Sequence, residues 1–252
     1  MAALAGVDTI FETMDGRLST ILFDMDGSLR HNMPAADDFL YDYAVSLGVQ
    51  DGDDRRRWGA QWAHYYWAQS SDLLQDMQNF GEFSERFWIN YIIRSLMGFN
   101  CPAELARELA PEIQRHMAED YQPQDVIPPE VPETLEALRS AGYRLGLLSN
   151  RTEPCNAYLA EVELDHYFDL VLVAGEVSSW KPDKKIFVNV LERLGVTSDE
   201  TIYIGDNYYA DVLGARNAGI QPVLFDPRQV FPDADCPVIT SIEDLKAVIA
   251  EG

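Results

Sequence analysis

The sequence predicts a doubly wound α/β core, a parallel sheet with helices on both faces, carrying an inserted all-helical domain. Three observations carry that prediction. Five short apolar runs, each closed by a polar residue or glycine, read as buried parallel strands over 20–24, 144–149, 169–173, 201–205 and 221–225. Helix-period segments near 131–141, 153–162, 184–194 and 208–218 alternate with the last four runs, as βαβ units do. About 120 residues separate the first run from the second, far beyond a usual crossover, so a domain fills the gap.

Taken in order, the first 18 residues are the least legible. Asp15-Gly16, between Ile10-Phe11 and the run Leu18 to Phe23, resembles a hairpin turn. A central strand over 20–24 with parallel neighbours on both sides leaves no edge for an antiparallel partner, so the extension is expected to pack elsewhere. The core domain is therefore residues 1–31 and 127–252, and the insert is residues 32–126. The insert is rich in Trp, Tyr, Leu and Met and almost without β-branched runs, which predicts helices. Trp58, Trp62, Tyr65 and Tyr66 recur at helical spacing, as do Phe83, Phe87, Tyr91 and Arg94. Trp58, Trp62, Trp67 and Trp88 read as helix-packing residues rather than as a pocket. Breaks fall at Asn100 to Pro102 and at Gln122 to Pro129, and the segment Pro123 to Pro132 reads as a hinge back to the core.

Composition narrows the partners. The 252 residues carry 42 acidic and 19 basic side chains, a formal net charge of −23. A polyanion would be repelled, and only Arg55, Arg56 and Arg57 form a basic run, so nucleic acid is excluded and that run reads as a solvated face. A small anionic substrate must then be drawn in by a local cation rather than by the global field. The three cysteines, Cys101, Cys155 and Cys236, lie at wide spacing with no zinc-ligand pattern, and read as free thiols in a reducing cytoplasm. No stretch approaches the roughly 20 apolar residues of a membrane span, and no basic leader precedes an apolar run. A soluble cytoplasmic protein without a membrane partner, monomer or homodimer, is the expectation.

The chemistry sits at strand ends. Ile21-Leu22-Phe23-Asp24-Met25-Asp26-Gly27-Ser28-Leu29 sets two carboxylates immediately after the first apolar strand. In open α/β sheets ligands bind beyond the carboxyl ends of strands. Ser149 and Asn150 end the second run, Lys181 precedes Pro182 after the third, and Asp206 and Asp211 follow the fourth in Gly205-Asp206-Asn207-Tyr208-Tyr209-Ala210-Asp211. All of these converge on one crevice.

The set DxDGS, a hydroxyl after the second strand, KPxxxIF and GDxxxxDxxGAxxAG resembles the four motifs of the haloacid dehalogenase superfamily, over a core of about 150 residues. A lone DxDG is weak, but four motifs in order at strand ends are specific. The resemblance implies a Rossmann-like core with a helical cap between the first two motifs, as in subfamily I. It also implies that Asp26 separates phosphatases and phosphomutases from dehalogenases, which lack it, and from transport ATPases, which carry Thr there. Ser28 stands where Thr is commoner and keeps the hydroxyl.

The residues support the same chemistry. A phosphate monoester repels nucleophiles, so its cleavage needs a held nucleophile and charge neutralisation. Asp24 is placed to attack phosphorus, and Asp26 to protonate the departing alkoxide and then deprotonate water. Mg2+ prefers hard oxygen ligands, which Asp24, Asp206 and the main-chain carbonyl of Asp26 offer. Ser149, Asn150 and Lys181 bind phosphate, while Asp211 braces Lys181 or metal-bound water. Lys184 and Lys185 read as solvated helix residues, His31 as a neighbour of the catalytic loop, and His64, His116 and His166 show no ligand spacing. The expected activity is Mg-dependent hydrolysis of a small phosphorylated metabolite through a phospho-aspartate. The alternatives are a phosphomutase of the β-phosphoglucomutase type and a catalytically silent regulatory protein. A phosphonate cleaver would want a lysine in the insert, which has none.

Overall fold

The computed structural model describes residues 18–249 and divides the chain into two compact units, Met1–His31 with Ile127–Gly252, and Asn32–Val126. The expected turn at Asp15-Gly16 lies outside the described residues. Eight strands occur among them: β1 (Thr20–Phe23), β2 (His31–Met33), β3 (Gln124–Val126), β4 (Arg144–Ser149), β5 (Leu170–Val173), β6 (Thr201–Gly205), β7 (Gln221–Phe225) and β8 (Val238–Ile239).

Six of them form one sheet in the order β5-β4-β1-β6-β7-β8, with every neighbouring pair parallel. β1 lies at its centre, Thr20 in register with Arg144 on one side and Thr201 on the other. Both its edges are taken, which is why no hairpin partner can join it there. The chain runs outward from β1 through β4 to β5, then crosses to β6, β7 and β8 on the other side. That reversal puts a crevice at the carboxyl ends of β1, β4 and β6.

The strands read as unbroken apolar runs because helices cover both faces. Side chains alternate across the sheet. Ile21 and Phe23 join Leu145, Leu147, Ile202 and Ile204 against Val131, Leu135 and Leu138 of the helix Glu130–Ser140. Leu22, Leu148, Leu172 and Tyr203 face the opposite way, onto Ile186, Phe187, Val190 and Leu191 of the helix Lys184–Leu194. That helix starts at an Asp183 N-cap and stops at Gly195 in the left-handed conformation.

Three details depart from the sequence reading. β8 is a sixth strand of two residues, too short for an apolar run to reveal. The second core helix begins at Asn156 rather than near 153, because Asn150 to Cys155 form a loop. The segment from 208 divides into a π-helical turn, Tyr208–Val212, and a short α-helix, Leu213–Asn217.

The second unit is helical, with helices Ala36–Ser46, Asp53–Trp67, Ser71–Phe80, Glu85–Gly98 and Ala103–Asp120. Ser70 and Ser84 cap two of them by accepting from the backbone N–H groups of Leu73 and Phe87. Its main core packs Leu40, Tyr41 and Ala44 with Ile92, Leu96, Phe99, Ala106, Ala110 and Ile113. β2 and β3 pair as a two-stranded sheet where the insert begins and ends. The arginine run is engaged rather than merely solvated: Arg55 donates to the carbonyls of Phe99 and Asn100 at 3.1 and 2.7 Å, Arg56 meets Asp42 at 2.7 Å, and Arg57 meets Asp54. Among the described residues no helix is long and apolar enough to cross a membrane, and Cys101, Cys155 and Cys236 are free.

Candidate active site

Asp24 is the first residue beyond β1, anchored by its N–H to the Ile204 carbonyl at 2.8 Å. The chain then folds back tightly. The N–H groups of Ser28, Leu29 and Arg30 all donate to the Met25 carbonyl, at 3.4, 3.0 and 2.9 Å. Gly27 makes that turn possible with φ +96°, and a Cβ there would lie 2.5 Å from an Asp206 carboxylate oxygen. Ser28, fully buried, donates to Asp206 Oδ1 at 3.4 Å.

Lys181 sits at the centre of the site with 2% of its surface exposed. Its ammonium has three donors, and they go to Asp24 Oδ1 at 2.6 Å, Asp211 Oδ1 at 2.7 Å and the Tyr203 hydroxyl at 2.9 Å. Tyr203 passes its own proton to the Leu148 carbonyl at 3.1 Å or to Asp211 at 3.2 Å. Asp211 Oδ2 accepts from the Asn207 N–H at 2.9 Å, so both of its oxygens are engaged. The π-helical turn serves this arrangement, since it carries Asp211 back toward Lys181 directly after the Asn207 cap.

Asn150 holds Lys181 by its main chain. Its Nδ2 donates to the Lys181 carbonyl at 3.0 Å and its Oδ1 accepts the Lys181 N–H at 2.7 Å. Both polar atoms of its side chain are thus engaged by the Lys181 main chain. Ser149, 2% exposed, accepts from the Arg151 N–H at 3.3 Å. Asp26 lies at the more open edge and meets Arg151 in a bidentate pair, Nε to Oδ2 at 2.7 Å and Nη2 to Oδ1 at 2.8 Å, with Arg30 3.4 Å away.

The electrostatics ask for a cation. Burial pushes the Asp24 carboxyl up to about 7, with Lys181 pulling it down and Asp211 pushing it further up. Burial, then repulsion from Asp24 and Asp211, pushes Asp206 well above the carboxylate range. Burial works against the Lys181 ammonium, yet Asp211 and Asp24 outweigh it and hold the proton on. Asp24 and Asp211 share the one ammonium with Asp206 beside them, so the fully ionised cluster would carry two negative charges in excess. Oxygens of Asp24, Asp206 and Asp211 lie within 4.8 Å of one another. A hard divalent cation fits both the charge and the donor set.

Residues 18–219 match the family of haloacid dehalogenase-like hydrolases. The chain belongs to that family. It is 28% identical over 251 residues to a phosphoserine phosphatase of Thermus thermophilus, covering 92% of this chain and 98% of that protein. A glyceraldehyde 3-phosphate phosphatase of Methanothermobacter thermautotrophicus is 32% identical over 130 residues, 48% of this chain and 58% of the relative. Other curated relatives match over 41 to 45% of their own length. Among solved structures, a 2-haloacid dehalogenase from Pseudomonas syringae pv. Tomato DC3000 superposes with a TM-score of 0.52 at 25% identity, over 93% of this chain and 99% of that one.

In this haloacid dehalogenase-like hydrolase the crevice brings together Asp24, Ser149, Asn150, Lys181, Asp206 and Asp211, with Asp26 at its edge. Sequence reasoning missed Tyr203, Arg151 and Arg30. Tyr203 had a signal, since a phenol in a fully buried strand needs a hydrogen-bond partner. Arg151 and Arg30 had none, because nothing in the sequence says which way a loop arginine turns.

Proposed function

We propose that the protein is a metal-dependent phosphatase that hydrolyses a small phosphate monoester through an aspartyl phosphate at Asp24. The observation that carries this reading is Asp24 itself, buried at the end of the central strand, one oxygen on Lys181 and Asp206 beside it. Lys181 fixes the carboxylate so that its second oxygen is left to attack phosphorus. The P–O bond to the leaving group breaks as the Asp24–phosphorus bond forms, and Asp26 gives its proton to the departing alkoxide. Asp26, now ionised, takes a proton from water, whose oxygen attacks phosphorus and releases inorganic phosphate and Asp24.

Arg151 orients Asp26 throughout. Both Asp26 oxygens accept from it, so one of those bonds opens before Asp26 carries the proton. The Ser149 hydroxyl and the amides of the following loop stabilise phosphoryl oxygens. Asp24, Asp206 and the Asp26 carbonyl would hold Mg2+, Asp211 being already taken by Lys181 and Asn207. A bound magnesium ion would offset the negative charge of phosphate and nucleophile. The helical insert, 32–126, has the chain position of a cap that selects substrate.

Phosphate release from a panel of monoesters, with and without Mg2+ and beside Asp24→Asn at matched folding, tests the reading. Mg-dependent turnover that Asp24→Asn abolishes is the expected result. Turnover unchanged in Asp24→Asn, or no release from any ester, would sink it; isomer formation without free phosphate would point to a mutase.

A further inference from the structure

Arg151 stands in the loop that follows β4, and Asp26 takes only part of its guanidinium. A guanidinium carries five N–H groups in a planar fork. Two of them are used on Asp26, Nε to Oδ2 at 2.7 Å and Nη2 to Oδ1 at 2.8 Å. The second hydrogen of Nη2 and both hydrogens of Nη1 make no hydrogen bond among the described residues. They form the outer edge of the fork, on a side chain that is 31% exposed.

That outer edge is held in place. The Tyr158 ring covers the guanidinium, with Arg151 Cζ 5.3 Å from its centroid, and the Arg151 N–H donates to Ser149 Oγ at 3.3 Å. Arg30 meets the same Asp26 at 3.4 Å, so Asp26 does not depend on Arg151 alone. One N–H of Nη1 and one of Nη2 point the same way, the pattern that a carboxylate or phosphate accepts with two oxygens at once. A neutral hydroxyl would use one of them, and a cation would be repelled. The place of the edge decides which part of a substrate it meets. A leaving oxygen protonated by Asp26 lies one hydrogen bond from that carboxylate, and Arg151 lies one more beyond it, on the order of 5–6 Å in all. A chain of one or two carbons ending in an anionic group spans that distance.

We propose that the outer edge of Arg151 receives a second anionic group of the substrate, a carboxylate or phosphate carried one or two carbons from the ester oxygen. The proposal names the substrate class of the site and rests on the phosphatase reading. The substrate is then held at both ends, its phosphoryl oxygens by Ser149 and the loop amides, its second anion by Arg151, with Asp26 beside the bond that breaks. Arg151 serves two carboxylates or their equivalent, one on each edge of its fork.

The test compares kcat/KM, with Mg2+ present, within two pairs of esters: the phosphate ester of 3-hydroxypropionate beside its neutral amide, and ethylene glycol bisphosphate beside 2-hydroxyethyl phosphate. In at least one pair the doubly anionic ester is expected to lead by about tenfold or more, and the pair that shows it tells carboxylate from phosphate. Arg151→Gln, checked for unchanged circular dichroism, slows every ester through Asp26 and is expected to bring the ratio within that pair to about one. Equal rates within both pairs, or a ratio that survives Arg151→Gln, overturns the proposal while the phosphatase reading stands. The same pairs titrated by calorimetry into Asp24→Asn, which forms no aspartyl phosphate, give the ratio as affinity. If no ester is hydrolysed, the phosphatase reading fails and the titration still decides this one: tighter binding of the doubly anionic ester, lost when Arg151→Gln is added to Asp24→Asn, supports it, and equal binding overturns it.

Discussion

At the scale of single residues, the site is governed by how few cations it holds. The Lys181 ammonium serves a cluster of three carboxylates, and burial first, with their mutual repulsion added to it, pushes Asp24 and Asp206 up. The folded protein without metal therefore binds more protons than the unfolded chain between the ordinary carboxylate value, 3.8, and about 7. Stability from these groups is present at low pH and lost as pH rises through that window. In chelator, Asp206→Asn should melt above wild type at about pH 8, with the gap closing toward about pH 4. Thermal melts across that range check it, and Mg2+ should raise the wild type more than the variant. Arg151 gives a second residue-scale test. Arg151→Lys keeps the charge and loses the bidentate geometry, so turnover should fall about tenfold on alkyl phosphates. Nitrophenyl phosphate, whose leaving group needs little protonation, should be much less affected; an equal loss on both would show that Arg151 does not act through Asp26.

At the scale of elements, legibility followed burial. Strands β1, β4, β5, β6 and β7 could be read because a strand covered on both faces is apolar at every position, as in Ile21-Leu22-Phe23. β8 could not, being two residues at the sheet edge. Asp24, Lys181, Asp206 and Asp211 were legible because strand ends are fixed points. Arg151 was not, since its role depends on loop conformation rather than on spacing. The aromatics of the insert show the same limit: Trp58 is 43% exposed while Trp67 and Trp88 face a cavity, a distinction that helical spacing does not encode. Gly205, at the end of β6, supplies the element-scale prediction. A Cβ there would lie 2.4 Å from the Asp211 carboxylate, so Gly205→Ala must displace the group that holds Lys181. The expected cost is about 1–3 kcal/mol in denaturant unfolding together with loss of most turnover. Unchanged activity would show that Asp211 need not be held where it is.

At the scale of the whole molecule, the excess of acidic side chains sets the response to salt. A net charge of −23 repels itself in the folded state, and mobile ions screen that repulsion over about 8 Å at physiological strength. Melting temperature should therefore rise by several degrees as sodium chloride is taken from low to high concentration. Sodium sulfate at equal ionic strength separates screening from its added exclusion effect. A flat or falling profile would mean that the surface ion pairs, such as Arg56 with Asp42 and Arg216 with Asp235, outweigh the repulsion.

The pairing of β2 with β3 brings the point where the chain leaves for the insert beside the point where it comes back, one inter-strand spacing of about 4.8 Å away. A segment whose two ends are neighbours is portable. It can be lengthened, shortened or exchanged for another without altering the register of β1 between β4 and β6. Under the proposed function, the reaction and the choice of what undergoes it would in this way be written in separate stretches of one gene, each open to change while the other stands.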